Sequence, residues 1–351
     1  MSYFTFENLY RAYRECRRRK TATLNHLRFA ENLEENLLLL ERELQNRAYK
    51  PGRSIAFVVQ KPKPREIFAA DFRDRVVHHL LYNYLAPIFE RIFIYDSWAC
   101  RKGKGTHRAI ARLRSFCNES ERERESRPAK LYFLQADIRS FFTSIDQRVL
   151  YDLIAKKIKN EEILWLTRKI IFHDCAHDIP PKIQSQPSLF DKIPAGKSLF
   201  KVPRGQGLPI GNLTSQFFAN VYLNELDQFV KHKLRAKHYL RYVDDFIILE
   251  ELKELIHYRR AVNNFLRERL ALSLHPKKRR IAPLESGIDF VGYVVRADYV
   301  LVRRRVVGQF RFRMDKLTGA DKEAKEVCLA SYRAHFKWAS SYGLQRASGT
   351  L

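Results

Sequence analysis

Two adjacent aspartates, Asp244 and Asp245, interrupt an otherwise apolar, β-prone stretch of the chain at residues 239–249. Adjacent carboxylates between apolar segments are costly to bury unless a cation neutralises them. A tight turn between two strands avoids that cost, because it brings both carboxylates to one edge of a sheet. Aspartate also favours turns for reasons of its own, so the pair alone does not distinguish an active site from an ordinary turn.

A second strand that ends in an acid accompanies this turn. Residues 131–136 form an apolar run that ends at Asp137, which predicts a buried strand delivering a third carboxylate to the same edge. Oxygen ligands of this kind suit Mg²⁺, which keeps water and substrate phosphates as its remaining ligands. Two such ions can activate a 3′-hydroxyl and stabilise leaving pyrophosphate in an in-line displacement. The sequence therefore predicts a metal site at Asp137, Asp244 and Asp245.

The charge of the chain indicates a polyanionic partner. Lys and Arg total 65 against 39 Asp and Glu, a formal net charge of +26 over 351 residues. Self-repulsion of this size favours nucleic acid as the partner, with an anionic membrane surface second. Residues 1–20 are polar and rich in arginine, and the longest apolar helical run is 37–40. The sequence therefore predicts no secretory signal and no membrane span.

The cysteines indicate a reducing compartment. They number five and lie far apart in the sequence, and no pair has the spacing of a redox motif or a zinc knuckle. We therefore expect reduced thiols and a cytoplasmic location.

Helical and strand-like patterns alternate along the chain. Apolar residues at helical spacing predict helices over residues 24–47, 146–172 and 213–234. Runs of β-prone residues predict strands at 55–59 and within 287–295. This mixture, together with the length, predicts two or three closely packed subdomains of α+β type.

The order of several sequence blocks resembles that of reverse transcriptases along most of the chain. The matching blocks are residues 60–67 (QKPKPREI), 136–142 (ADIRSFF), 207–216 (GLPIGNLTSQ), 242–245 (YVDD), 275–279 (HPKKR) and 287–293 (GIDFVGY). They resemble, in order, the fingers segment, the first catalytic block, the block under the nascent base pair, the catalytic turn, the lysine block and the primer-grip block.

This resemblance implies a particular fold. We expect an α+β right-hand polymerase with fingers, a palm carrying a small antiparallel sheet, and a short helical thumb. Fingers and palm would be interleaved over residues 1–298, and the thumb would occupy residues 299–351.

The resemblance also assigns metal ligands. Asp137 and Asp244 would ligate both ions with help from the main-chain carbonyl of Ile138, and Asp245 would assist less directly. The implied cofactors are two Mg²⁺ ions, or Mn²⁺ in their place.

Further roles concern the nucleotide. The triphosphate would be held by basic residues of the fingers segment, namely Lys61, Lys63 and Arg65. Phe142, five residues after Asp137, has the position of an aromatic gate that excludes a 2′-hydroxyl and so favours DNA synthesis; the alternative is ordinary core packing beside Phe141. Lys278 would protonate or neutralise pyrophosphate, a role open to Lys277 as well.

The block around Ile210 narrows the resemblance to one subfamily. Most reverse transcriptases have glutamine before the glycine and end the block in Ser-Pro, whereas this chain has Ile210-Gly211 and ends in Ser215-Gln216. With residues 103–107 (GKGTH) and 197–200 (KSLF), this is similar to the reverse transcriptases of diversity-generating retroelements. Ile210 and Gln216 are the candidate contacts to the nascent pair.

Members of that subfamily copy a template-repeat RNA and misincorporate opposite adenine, and the mutated cDNA replaces part of a target gene. Ile210 cannot hydrogen-bond to the new base pair as glutamine could, which weakens one geometric check on pairing. A difference of about 1.4 kcal/mol already changes an error rate tenfold, so the loss of one hydrogen bond to the base pair can raise the error rate noticeably.

The implied partners are a template RNA, the RNA–cDNA duplex, dNTPs and a small accessory protein that helps to bind RNA, in a bacterial, archaeal or phage-encoded system without a membrane. One alternative is the reverse transcriptase of a group II intron or of a phage-defence system. Another is a catalytically idle RNA-binding protein on the same fold. The presence of all three aspartates weighs against the idle protein.

Overall fold

The computed structural model describes residues 2–60, 63–126, 130–176, 189–317 and 322–347. Helices and antiparallel strands are interspersed along the chain, so the predicted α+β class is confirmed. Among the described residues, no helix combines the length and the apolar character needed to cross a membrane.

The helices are α1 (Phe6–Arg17), α2 (Leu24–Glu31), α3 (Leu33–Gln45), α4 (Phe72–Glu90), α5 (Thr106–Ser126), α6 (Phe141–Ser144), α7 (Gln147–Ala155), α8 (Glu161–Ile171), α9 (Leu213–Gln228), α10 (Leu252–Leu270), α11 (Arg304–Lys316), α12 (Lys322–Phe336) and α13 (Tyr342–Ala347). The strands are β1 (Ile55–Val59), β2 (Arg65–Ala69), β3 (Leu131–Ile138), β4 (His238–Tyr242), β5 (Asp245–Glu251), β6 (Leu274–Pro283), β7 (Ile288–Phe290), β8 (Tyr293–Val295) and β9 (Val300–Val302).

The chain forms two compact units, and the first comprises Met1–Ile94, Ile138–Gln228 and Asn263–Leu274. In this unit α1 and α9 both pack against α4. Fully buried side chains such as Leu9, Leu81 and Tyr222 supply the core. Each removes apolar area from water, which stabilises the packing by about 1.5–3 kcal/mol per large side chain. The antiparallel hairpin of β1 and β2 is the sheet of this unit.

The second unit comprises Tyr95–Asp137, Phe229–Val262 and His275–Leu351. Its main sheet has the strand order β4-β5-β3-β6, and β7, β8 and β9 form a second antiparallel sheet. Helix α5 covers the main sheet, where Leu113 and Phe116 share one buried cluster with Phe133 and Ile247. Because side chains alternate along a strand, Asp245 lies on the same face of β5 as Ile247.

The C-terminal helices of the second unit have a small core of their own. Phe310 of α11 clusters with Leu329, Tyr332 and Phe336 of α12. These helices occupy the region that the sequence predicts as the thumb. The division at residue 299 stays a prediction.

Two helices predicted as continuous are each broken in the structure. The segment 24–47 contains α2 and α3, separated at Asn32 with φ −119° and ψ 51°. The segment 146–172 contains α7 and α8, capped by the side chains of Asp146 and Asn160. Side chains of this kind satisfy main-chain N–H groups at a helix start and so compete with a continuous helix.

Candidate active site

The two adjacent aspartates lie at the turn between β4 and β5. Tyr242 is paired with Asp245 across the antiparallel strands, and only Val243 and Asp244 connect them. Val243 has a φ of 56°, in the left-handed region that a β-branched residue rarely adopts. This tight turn, residues 242–245, brings both carboxylates to one end of the strand pair.

Arg241 supports the turn. Its side chain is the largest of the fully buried ones among the described residues. Its guanidinium donates to the main-chain oxygen of Val243 at 2.9 Å and to Oγ of Ser97 at 3.1 Å. Its main-chain N–H donates to the carbonyl of Asp96, and its carbonyl accepts from the N–H of Trp98, both at 2.9 Å. Surrounding bonds of this kind hold a strained backbone in place.

Asp137 lies beside the same turn. Strand β3 pairs with β5 in antiparallel register, and Asp137 is directly opposite Asp245. Directly opposite residues of such a ladder have Cα atoms about 4.5–5.5 Å apart. The third carboxylate therefore reaches the end of the sheet at which the turn lies.

A lysine provides the positive charge at these carboxylates. Nζ of Lys278, on β6, lies 2.5 Å from Oδ2 of Asp137. The neighbouring Lys277 donates its main-chain N–H to Nδ1 of His275 at 3.2 Å. Of the two lysines that the sequence leaves open, Lys278 is the one whose ammonium contacts an aspartate.

Gln135 holds the carboxylate of Asp245. Its Nε2 lies 3.3 Å from Oδ2 of Asp245 and 2.9 Å from the carbonyl oxygen of Asp289. Burial raises the pKa of Asp245 to about 7, the bond from Gln135 opposes this rise, and the charges of Asp137 and Asp244 add to it. The three carboxylates are therefore close enough to repel one another, and a bound cation would relieve that repulsion.

The donor set fits a hard divalent cation, because all three side chains offer carboxylate oxygens. As the side chains stand, Asp137 contacts Lys278 and Asp245 accepts from Gln135. Across the residues that the structure describes, no three His, Cys, Asp or Glu side chains converge tightly enough to hold a metal ion. Binding of a metal would thus require these carboxylates to exchange their present partners for it.

Thr106 holds the aromatic residue of the turn. Its hydroxyl lies 3.0 Å from the hydroxyl of Tyr242, and the ring of Phe290 meets the ring of Tyr242 edge-on at 6.2 Å. Thr106 is the first residue of α5 and belongs to the GKGTH block noted in the sequence. That block therefore helps to fix the turn.

In the first unit, the block around Ile210 is docked on β2. The carbonyl of Ile210 accepts from the N–H of Phe68 at 2.8 Å, and Oδ1 of Asn212 accepts from the N–H of Ala70 at 3.2 Å. Gly211 has a φ of +133°, and a Cβ there would lie 2.9 Å from the carbonyl oxygen of Phe68. Only glycine allows this close approach.

The other nucleotide-binding candidates of this unit are more exposed. Lys63 and Arg65 are exposed at the start of β2, and Gln216 is exposed on α9, whereas Lys61 lies outside the described residues. Phe142 is half-buried on α6, with its ring edge-on to Phe141 at 5.3 Å.

The family model for reverse transcriptase (RNA-dependent DNA polymerase) matches residues 50–295. This chain belongs to the reverse transcriptase family. The match covers well over half of the chain and confirms the enzyme class predicted from the sequence, an RNA-directed DNA polymerase.

Several curated proteins are similar to this reverse transcriptase. Protein YkfC of Escherichia coli (strain K12) is 22% identical over 295 residues, which cover 73% of this chain and 70% of YkfC. Group II intron-encoded protein LtrA of Lactococcus lactis subsp. cremoris is 23% identical over 258 residues, 72% of this chain and 38% of LtrA. Nuclear intron maturase 1, mitochondrial, of Arabidopsis thaliana is 24% identical over 239 residues, 57% of this chain and 31% of the maturase.

Among solved structures, apo telomerase from Candida tropicalis has a TM-score of 0.51 at 12% identity, covering 81% of this chain and 52% of that chain. This likeness concerns the fold and is compatible with the predicted right-hand polymerase.

Three residues that support the turn of this reverse transcriptase were missed by sequence reasoning. They are Thr106, Gln135 and Arg241. Gln135 was detectable in principle, because it lies two residues before Asp137 on a strand and so shares its face. Arg241 precedes the turn on an apolar strand, and a cation at such a position is rarely buried without partners.

Proposed function

We propose that this reverse transcriptase copies RNA into DNA by two-metal nucleotidyl transfer at the turn of residues 242–245. The observation that carries the proposal is the register that sets Asp137 opposite Asp245, with the Lys278 ammonium 2.5 Å from Asp137. Carboxylates that repel one another beside a half-exposed ammonium are suited to exchange that cation for a metal ion. Primer extension on an RNA template by the wild-type chain and by an Asp244→Asn variant tests the proposal.

Different residues would hold the metal ions and contact the leaving pyrophosphate. Asp137 and Asp244, with the carbonyl of Ile138, would hold two Mg²⁺ or Mn²⁺ ions, and Asp245 would assist. When bound, these ions supply activation of the primer 3′-hydroxyl and charge stabilisation at the leaving pyrophosphate. Released from Asp137, the Lys278 ammonium would neutralise or protonate pyrophosphate.

The incoming dNTP would be bound by the basic residues of the fingers segment, Lys61, Lys63 and Arg65, as counter-charges for the triphosphate. Lys63 and Arg65 are exposed. Phe142 would lie beneath the sugar and exclude a 2′-hydroxyl. Its half-buried state supports this role, since a fully buried ring could not meet a substrate.

Replacing Phe142 with alanine should admit ribonucleotides, because it removes the ring from the space that a 2′-hydroxyl needs. We expect the preference for dNTP over rNTP to fall by at least about tenfold, the effect of about 1.4 kcal/mol. The measurement is single-nucleotide extension of one primer with dNTP and with rNTP.

Phe142→Tyr is the matched control, because it keeps the ring and should keep the preference. Equal discrimination by the alanine variant and the wild-type chain would mean that Phe142 is a core residue and that another group excludes the hydroxyl.

We further propose that the enzyme serves a diversity-generating retroelement and copies its template-repeat RNA with errors opposite adenine. The apolar Ile210 supports this proposal, because its main chain is anchored to Phe68 and its side chain offers no hydrogen bond to a base pair. The template RNA, the RNA–cDNA duplex and a small accessory protein would be the partners.

Substituting Ile210 with glutamine should lower misincorporation opposite template adenine, since the amide can hydrogen-bond near the sugar and the base edge. We expect a reduction of several-fold, within the range of one weak hydrogen bond. The measurement is sequencing of cDNA made on one RNA template in the presence of any accessory protein.

Ile210→Leu, which is apolar and of equal size, should leave the error rate unchanged. If glutamine and leucine variants make equal numbers of errors at adenine, infidelity arises elsewhere in the pocket.

The second candidate is the reverse transcriptase of a group II intron, which the similarity to LtrA and to the intron maturase favours. The DNA beside the gene discriminates between the two. A near-repeat pair that differs mainly at adenines indicates a diversity-generating retroelement, whereas a flanking intron indicates the alternative.

A further inference from the structure

A groove in the second unit lies between α5 and residues 337–340. It is open to solvent, and the space within it, including its open mouth, measures about 1290 Å³. Its floor and rim come from both segments, with Arg114, Arg122 and His107 on one side and Lys337 and Trp338 on the other. None of these residues belongs to the proposed catalytic or nucleotide-binding set.

The groove contains an exposed aromatic platform. Trp338 is 47% exposed, and its ring is stacked on the ring of His107 with centroids 4.6 Å apart and planes 8° apart. This stack fixes the orientation of the indole. A fixed, half-exposed indole is suited to stack on an unpaired base, a contact that contributes about 1–3 kcal/mol per base.

The charge of the groove is positive. Arg114, Arg122 and Lys337 line it. Among the described lining residues the one carboxylate is Glu119, which lies 3.8 Å from the guanidinium of Arg112. Arg114 donates to the carbonyl of Ala297 at 3.1 Å, which fixes its position without neutralising its charge. Cations along a groove attract phosphates and favour a polyanion over a neutral peptide.

The groove leads away from the turn of residues 242–245. The first residue of α5, Thr106, contacts Tyr242 at the turn, whereas Ser120 lies 3.2 Å from His238 at the opposite end of β4. Between His107 and Arg122 the helix rises about 22 Å. This length suits a short site of about four nucleotides.

We propose that this groove, formed by α5 and residues 337–340, binds single-stranded RNA, with a base stacked on Trp338 and phosphates contacting Arg114, Arg122 and Lys337. A duplex does not fit the aromatic platform, because its bases are already stacked on one another. Hydroxyl and amide groups of Ser340 and Asn118 also line the groove, and such groups can bond to a 2′-hydroxyl.

The test is fluorescence anisotropy of a labelled, unstructured 12-nucleotide RNA bound to the full chain, with excess unlabelled primer–template duplex to occupy the proposed active site. Trp338→Ala should weaken RNA binding about tenfold, as expected for one lost base stack. Lys337→Glu should also weaken it and lower the slope of log K against log salt by about one.

Two matched controls come from exposed residues outside the groove. Tyr342→Ala removes an aromatic ring that is 69% exposed, and Lys325→Glu reverses an exposed charge on α12. Both should bind RNA as the wild-type chain does. Lys337 is exposed, so Lys337→Glu keeps the test valid should Trp338→Ala fail to fold.

RNA affinity equal to wild type in both groove variants would overturn the proposal, as would equal losses in the control variants. Loss of a protein partner instead of RNA would assign the groove to that protein and also overturn it. Primer extension is measured separately. A chain that binds RNA in the groove but does not extend a primer would contradict the proposed polymerase activity alone.

Discussion

An Asp244→Asn variant should lose primer extension almost completely while it keeps its affinity for RNA. Asparagine has the size of aspartate but not its charge, so the candidate metal site at the turn loses a charged oxygen ligand. A metal ion contributes several kcal/mol to such a step, which corresponds to a loss of about a thousandfold or more. The affinity should persist because it arises from basic residues across a chain of formal net charge +26.

Single-turnover extension measures the loss of activity, and a filter-binding titration on the same RNA primer–template measures the affinity for RNA. Asp298→Asn is the control, since Asp298 is exposed in the same unit and its substitution changes the net charge by the same amount. Substantial extension by Asp244→Asn would contradict the assignment of the turn as the active site. A parallel loss of RNA binding would instead indicate that the variant is misfolded.

The arrangement of the carboxylates was predictable because its causes are local. An acidic pair between β-prone segments predicts a turn between strands, and an acid at the end of another buried strand predicts a neighbour on the same sheet. The register of Asp137 opposite Asp245 agrees with this reasoning. The family was predictable from the order of the blocks, and residues 50–295 match its model.

What the sequence did not reveal depends on contacts between distant residues. The position of Gln135 beside Asp137 can be read from the strand, but its bond to the carbonyl of Asp289, 154 positions later in the chain, cannot. The helix breaks at Asn32 and at residues 156–160 were also missed, because apolar periodicity continues across them. The second helix starts anew at Asn160, whose side chain caps α8, and this cap outweighs the apolar periodicity.

Substitution of Arg241 by methionine should lower the free energy of unfolding by about 2–5 kcal/mol, because two acceptors would each lose their donor at a cost of about 1–3 kcal/mol. Methionine fills much of the volume but donates no hydrogen bond. The carbonyl of Val243 and the hydroxyl of Ser97, which now accept from the guanidinium, would both lose that donor. Urea denaturation followed by circular dichroism measures the change.

The same substitution should also reduce extension more than the unfolded fraction accounts for, because Arg241 holds the turn that carries Asp244. Arg241→Lys should recover part of the stability. An ammonium can donate to one of the two acceptors, but it lacks the planar fork with which the guanidinium reaches both. Arg260→Met is the control, because Arg260 is an exposed arginine of α10 in the same unit. If Arg241→Met changes the unfolding free energy by less than about 1 kcal/mol, its effect is that of an ordinary surface substitution. The turn of residues 242–245 would then keep Val243 in its left-handed conformation without Arg241.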